Sequence, residues 1–218
     1  RTMKTKTQTL TDPATYVNQE RLIFLVDGVF AITMTLLVLE LRPPELDTTH
    51  LVEALRAMLP RLYIYLIAFY SIANHWVVHQ RLFRHITDMD LNMLWLTIAG
   101  LLFITLIPAA TAIVGRFPGE KLAVACFSAN SFFQAVTVWL FWSHVVKRPK
   151  KFAGNSEPHL LAITAQVWLV IAVGWLISIP LSFINVYAAY VAWIIWPNLV
   201  GMWGNRRRRA LYEVKHGK

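Results

Sequence analysis

Arg21-Leu-Ile-Phe-Leu-Val-Asp27-Gly-Val-Phe-Ala-Ile32-Thr-Met-Thr35-Leu36-Leu-Val-Leu39-Glu40 is the stretch on which the fold turns. Between its terminal charges the only ionisable side chain is Asp27. A run of this length is what a membrane-crossing helix needs, about 17–25 mostly apolar residues. Ile32, Thr35, Leu36 and Leu39 stand at i, i+3, i+4 and i+7 and so share one helical face. Such a stripe packs a core, or, around a symmetry axis, forms a hydrophobic constriction that gates by dewetting. Asp27 lies about a turn and a half inside the apolar run. A carboxylate at that depth costs a few kcal/mol or more unless it has partners or water, which makes it a candidate functional group. Arg21 and Asp27 are six residues apart and point in different directions, so each is expected to pair with other helices.

The same pattern repeats along the chain. Blocks nearly free of charge recur at 62–73, 91–114, 122–146, 160–184 and 186–203, and charged residues make up only 15% of the whole. Soluble domains carry about 25%. The reading is an all-α integral membrane protein with six transmembrane helices, at about 20–41, 61–83, 90–114, 120–146, 159–183 and 186–204. Together they form a single transmembrane domain over 1–218. Strands of about ten alternating residues, which a barrel requires, are not seen. No apolar stretch precedes residue 22, so no cleavable signal peptide is expected.

Between the first two spans, Pro43-Pro44 ends the first helix. Asp47, Thr48 and Thr49 can cap a short helix whose apolar stripe is Leu51, Leu55, Met58 and Leu59, with Pro60 at the join to span two. Spans five and six are separated only by Asn185 and its neighbours and form a tight hairpin. Tyr63, Tyr65, Trp142, Tyr187, Tyr190 and Trp203 fall near predicted ends, as an interfacial aromatic belt does. The lone cysteine, Cys126, excludes a disulfide framework and reads as a small buried apolar residue.

A net charge of +9 invites a nucleic-acid reading, but the distribution opposes it. With six spans and the amino terminus inside, only Arg42, Arg56, Arg61, Arg116 and Lys121 of the 21 Lys and Arg fall outside. That asymmetry is the positive-inside rule, and it places both termini in the cytoplasm. The Arg206–Arg209 run then anchors the last helix and attracts anionic lipid, and no nucleic-acid partner is expected.

His75 and His79 are i, i+4 on one face, but no Glu or Cys is placed to complete a metal site. Asn130, Gln134 and Gln166 are read as interhelical hydrogen bonders. Thr111-Ala-Ile-Val-Gly115 resembles a carbonyl filter only in part, because it lacks the Tyr-Gly and a preceding pore helix. Phosphate loops, nucleotide fingerprints, catalytic triads and zinc motifs are missing from the sequence, so no enzyme, cofactor or small-molecule substrate is expected.

The first span resembles that of the transmembrane protein 175 family of lysosomal potassium channels and its single-repeat prokaryotic homologues. The family signature is Arg-x-x-x-Phe-Ser-Asp. Here Arg21 and Asp27 match, while Leu25 and Val26 replace the Phe and Ser. The run Gly28 to Leu41, His79-Gln-Arg-Leu-Phe-Arg84, Leu94-Trp-Leu and Leu106-Ile-Pro-Ala-Ala-Thr are similar to prokaryotic members. The resemblance covers spans one to three; spans four to six match in length and hydropathy. It implies a homotetramer in the bilayer of the cell's inner membrane, with a pore lined by the first helix and no selectivity-filter loop. It implies a constriction at Ile32, extended by Leu36 and Leu39, and potassium near Thr35. It also implies a cytoplasmic-side polar network joining Arg21 and Asp27 to His75, Trp76, His79 and Asn92, thinned by the hydroxyl missing at Val26. A proton-permeable channel of the same fold, with Asp27 and the histidines as relays, is one alternative; a secondary transporter is another.

Overall fold

Nine apolar or amphipathic stretches, none with strand alternation, become helical in the computed structural model, which describes residues 18–41, 51–154 and 156–216. Helix α1 spans Gln19–Leu36 and continues as a 3-10 turn over Leu37–Glu40. It begins where Asn18 accepts the Arg21 backbone N–H at 3.1 Å, satisfying one of the first-turn donors. Helix α2 runs unbroken over Leu51–Phe83, with Pro60 inside it. The expected join at Pro60 is therefore no boundary, and the lead-in from Leu51 belongs to the second helix. The Pro43-Pro44 stop and the Asp47 to Thr49 cap lie outside the described residues.

The third span is divided. Helix α3, Leu91–Thr105, and helix α4, Ile107–Arg116, meet at Leu106, and Pro108 sits in the first turn of α4. A proline has no N–H to donate and crowds the preceding turn, which breaks the helix at this point. The 111–115 segment lies within α4, so its carbonyls are engaged in a helix rather than lined up as a filter.

Helix α5, Lys121–Lys147, is followed by a single turn, α6, Pro149–Phe152. Helix α7, Pro158–Ile184, starts with proline in its first turn, where the missing N–H costs nothing. Asn185 ends α7 and starts helix α8, Val186–His216, accepting the N–H groups of Tyr187 at 2.9 Å and Ala188 at 3.1 Å. The tight hairpin is as the sequence indicates. Helix α8, however, runs on past residue 204, through the Arg206–Arg209 run, to His216.

Five of these stretches are long and apolar enough to cross a bilayer: Gln19–Leu39, Leu91–Arg116, Lys121–Lys147, Pro158–Ile184 and Val186–Leu211. Helix α2, at 33 residues, has the length. It is not among the five. The exterior is apolar, with Ile184 80% and Tyr187 76% exposed. Apolar area on this scale at helix surfaces is covered by lipid or by further subunits.

Helices α5, α7 and α8 form one layer, and α5 also backs α3. A buried polar knot ties that layer together. Trp193 donates its indole N–H to Ser178 at 2.9 Å and Ser128 at 3.1 Å, and the two hydroxyls are 3.0 Å apart. Asn130 donates to the Phe103 carbonyl, linking α5 to α3, and Gln166 accepts from Arg207, linking α7 to α8. Trp142 is buried, so it belongs to the core and not to an interfacial belt. Cys126 is exposed on the single chain, contrary to its sequence reading.

The basic segment after α5 is structured. Phe152 and Ala153 are buried, and the Phe152 carbonyl accepts the Thr87 N–H at 2.8 Å. Gly154 takes a φ of +51°, a conformation that L side chains rarely adopt, to turn the chain back toward α7. Beside it, Asp90 caps α3 by accepting the Met93 N–H at 2.9 Å and meets the His144 ring at 2.8 Å. Partial burial pushes the Asp90 carboxyl up, but the Met93 N–H and His144 outweigh this and hold it below the usual value.

Candidate functional site

Helix α1 has two faces. Leu22, Val26, Phe30 and Thr33 are buried against the rest of the chain, and Leu37 continues that face. The opposite face is open: Ile32 is 60% exposed, Leu36 45% and Leu39 52%, with Thr35 exposed between them. Gly28 adds to this open side, with nothing near the position of a Cβ. The four stripe residues are thus kept out of the subunit core, so the core-packing reading of the stripe does not hold within one chain.

The turn from α-helix to 3-10 helix at Leu37 alters the stripe. Each residue there rotates the chain by about 120° in place of about 100°. Leu39 therefore drifts off the line through Ile32 and Thr35 and stands above Leu36, while Val38, 52% exposed, turns toward the open side. The Thr35 hydroxyl donates to the Ile32 carbonyl at 2.8 Å. With its proton committed to the helix, the oxygen presents its lone pairs outward, which is the polarity a cation accepts.

Asp27 lies at the edge between the two faces and is held from α2. Trp76 donates its indole N–H to the carboxylate at 3.0 Å, and Gln80 donates its amide N–H to the same oxygen at 2.5 Å. Trp76 and Gln80 are i, i+4, so they reach one point from one helix face. Gln80 was not among the sequence candidates; its spacing from Trp76 is the signal that could have found it.

His75 and His79 occupy the next face of α2 and do not hydrogen-bond Asp27. The His75 Nδ1 faces the Ser71 carbonyl at 2.9 Å, and its ring lies 5.4 Å from Trp168. The His79 ring stacks on Phe83 with centroids 3.8 Å apart and approaches Phe30 at 6.1 Å. Both rings line a cavity of about 60 Å³ with Thr97, Gln134 and Thr137. Their Nε2 atoms have no hydrogen-bond partner among the described residues.

Two expected members stand apart. Arg21 is exposed, and among the described residues its guanidinium has no carboxylate partner. Asn92 is exposed in the first turn of α3, with no side-chain bond to the cluster. Among the described residues no three His, Cys, Asp or Glu side chains gather as a metal site.

The all-helical fold, its apolar exterior and five bilayer-length helices define a multi-pass membrane protein. Residues 21–108 match the family model described as the endosomal/lysosomal potassium channel TMEM175. A potassium channel of Chamaesiphon minutus is 30% identical over 168 residues, covering 74% of this chain and 82% of that protein. A potassium channel of Streptomyces collinus is 26% identical over 164 residues, covering 73% of this chain and 80% of its own length. The endosomal/lysosomal proton channel TMEM175 of Danio rerio is 26% identical over 133 residues, 58% of this chain but only 26% of that longer protein. In fold, the chain is similar to the crystal structure of a lysosomal potassium-selective channel TMEM175 homolog from Chamaesiphon minutus. The TM-score there is 0.75 at 24% identity, covering 86% of this chain and 98% of that one. The chain belongs to the TMEM175 family of ion channels and is not an enzyme.

Proposed function

We propose that the protein is a passive, potassium-selective channel. Four copies would surround a pore lined by α1, with six spans each and both termini on the cytoplasmic side of the bacterial plasma membrane. The carrying observation is the open face of α1, where Ile32, Leu36 and Leu39 are exposed around the outward lone pairs of Thr35. These residues lie on the surface of the single chain, so a pathway along them needs neighbouring copies. Two prokaryotic relatives named potassium channels support the permeant ion.

At the narrowing, ions shed part of their water beside an apolar neck and a ring of hydroxyls, and a bulky aliphatic ring closes the path by dewetting. Ile32 forms the neck, with Leu36 and Leu39 extending it and Thr35 meeting potassium. Asp27, Trp76 and Gln80 fix α1 against α2 and so set the direction of the open face. Arg21, His75, His79 and Asn92 would act through this support or through subunit contacts, and not as ligands of the ion. No resident cofactor, nucleic acid or small-molecule substrate enters the reading.

The vertebrate relatives are named proton channels, which favours a second reading, proton permeation by the same fold. Flux into proteoliposomes under opposed potassium and sodium gradients tests the first. Passive potassium uptake supports it. A current reversing with the proton gradient replaces it with the second, and the absence of any flux contradicts both.

A further inference from the structure

A second cavity, of about 580 Å³, opens between α2 and α8 over a floor from α7. It lies within the range of about 300–1,000 Å³ of small-molecule sites. Its composition is graded. One end is apolar and aromatic, with Leu66, Trp175 and Trp193; the other holds Arg81, Asn205 and Arg208. Among the described residues, no Asp or Glu lines it. Arg208 donates to the neutral Thr164 hydroxyl at 3.1 Å, Arg81 is exposed, and among the described residues neither is ion-paired with a carboxylate.

The length fits one class of amphiphile. Along α8 the cavity reaches from Trp193 to Arg208, which is about 22 Å at about 1.5 Å per residue. One leaflet with its headgroups is about 20–22 Å deep, half of a bilayer of about 40–45 Å. We propose that this groove holds one anionic phospholipid, with its acyl chain along the aromatic wall and its phosphate between Arg81 and Arg208. Arginine's planar donors suit a phosphate, and an anionic headgroup supplies the charge that the groove lacks. The site rests on the orientation proposed above only for its leaflet, which would be the cytoplasmic one.

Native mass spectrometry of the purified full chain with phosphatidylglycerol or phosphatidylcholine reads binding and not flux, so it stands apart from the channel reading. One phosphatidylglycerol per subunit should be retained in preference to phosphatidylcholine. Arg81→Gln with Arg208→Gln should weaken it about thirtyfold, the scale that two cationic contacts near a lipid surface supply. Gly201→Trp should do the same without changing charge, because it fills open space in the groove. Arg206→Gln with Arg209→Gln removes only the diffuse attraction of the basic run and should weaken retention far less than the Arg81 and Arg208 pair. Equal retention of the two lipids, or equal loss in the Arg206 and Arg209 variant, overturns the proposal. So does a disulfide between copies formed through Met202→Cys in a Cys126→Ala background, which would show protein covering the groove.

Discussion

The knot of Ser128, Ser178 and Trp193 makes a quantitative prediction about the layer of α5, α7 and α8. Ser128 is 0% exposed, Ser178 2% and Trp193 7%, so water does not compete for these groups. Ser128→Ala leaves Trp193 its bond to Ser178, and Ser178→Ala leaves it the bond to Ser128. Each single change therefore removes two contacts, one acceptor of the shared indole N–H and the serine–serine hydrogen bond, at an average of about 0.6 kcal/mol each inside a membrane. The double variant is different in kind, because the indole N–H is left buried with no acceptor. An orphaned buried donor costs about 1–3 kcal/mol. The double loses all three bonds, about 1.8 kcal/mol, and adds the orphan, for about 3–5 kcal/mol, against about 2.4 kcal/mol from adding the singles. Unfolding by SDS in mixed micelles, followed by far-ultraviolet circular dichroism, measures all four proteins. Trp193→Phe should also cost less in the double variant than in the parent, since the orphan goes with it. A double equal to the sum of the singles would refute the shared-acceptor account.

Other outcomes follow from single contacts. Asp27→Asn keeps an acceptor for Trp76 and Gln80 but not its charge, and should cost about 1 kcal/mol; Asp27→Ala strands both donors and should cost about 2–3 kcal/mol in the same assay. Asp90→Ala should destabilise by about 1 kcal/mol more than Asp90→Asn, because asparagine still caps α3. The folded pKa of Asp90 lies below its ordinary 3.8, so its ionised form stabilises the fold fully above that value and loses the effect as pH falls through the lowered pKa; the difference between parent and Asp90→Asn should vanish in melts under strong acid. A Cβ at Gly174 would fall 1.8 Å from the Trp196 Nε1, so Gly174→Ala should expel that ring from the Val170 carbonyl and cost about 1–3 kcal/mol, visible as quenched or shifted tryptophan emission.

Charge-free blocks make most of the helices legible in the sequence. A bilayer leaves little choice: its interior satisfies the backbone only in a helix or a closed barrel. Helix ends are less visible. Pro60 reads as a boundary, yet α2 runs through it, while the break at Leu106 comes from Pro108 inside a block that reads as one span. Hydropathy places neither, because a proline's effect depends on which neighbours can accept a bend. The last span reads as ending at about 204, yet α8 continues through the arginines that follow, since arginine is a good helix former once out of the bilayer.

At the site, Trp76 meets Asp27 as the resemblance implies, but the histidines beside it point elsewhere. One residue's step along a helix turns a side chain by about 100°, so adjacency in sequence separates Trp76 from His75 in space. The open face of α1 shows a converse limit. Periodicity groups Ile32, Thr35, Leu36 and Leu39, but it does not tell a core stripe from a pore stripe, and it does not foresee the 3-10 turn that moves Leu39.

Ion flux in proteoliposomes carrying the parent, Ile32→Asn or Thr35→Ala tests the central claim most directly. An amide at position 32 wets the neck, so potassium flux should rise several-fold. Loss of the Thr35 hydroxyl should lower potassium discrimination over sodium while flux persists. Unchanged flux and selectivity in both variants, with folded and inserted protein, would contradict a pore lined by this face of α1.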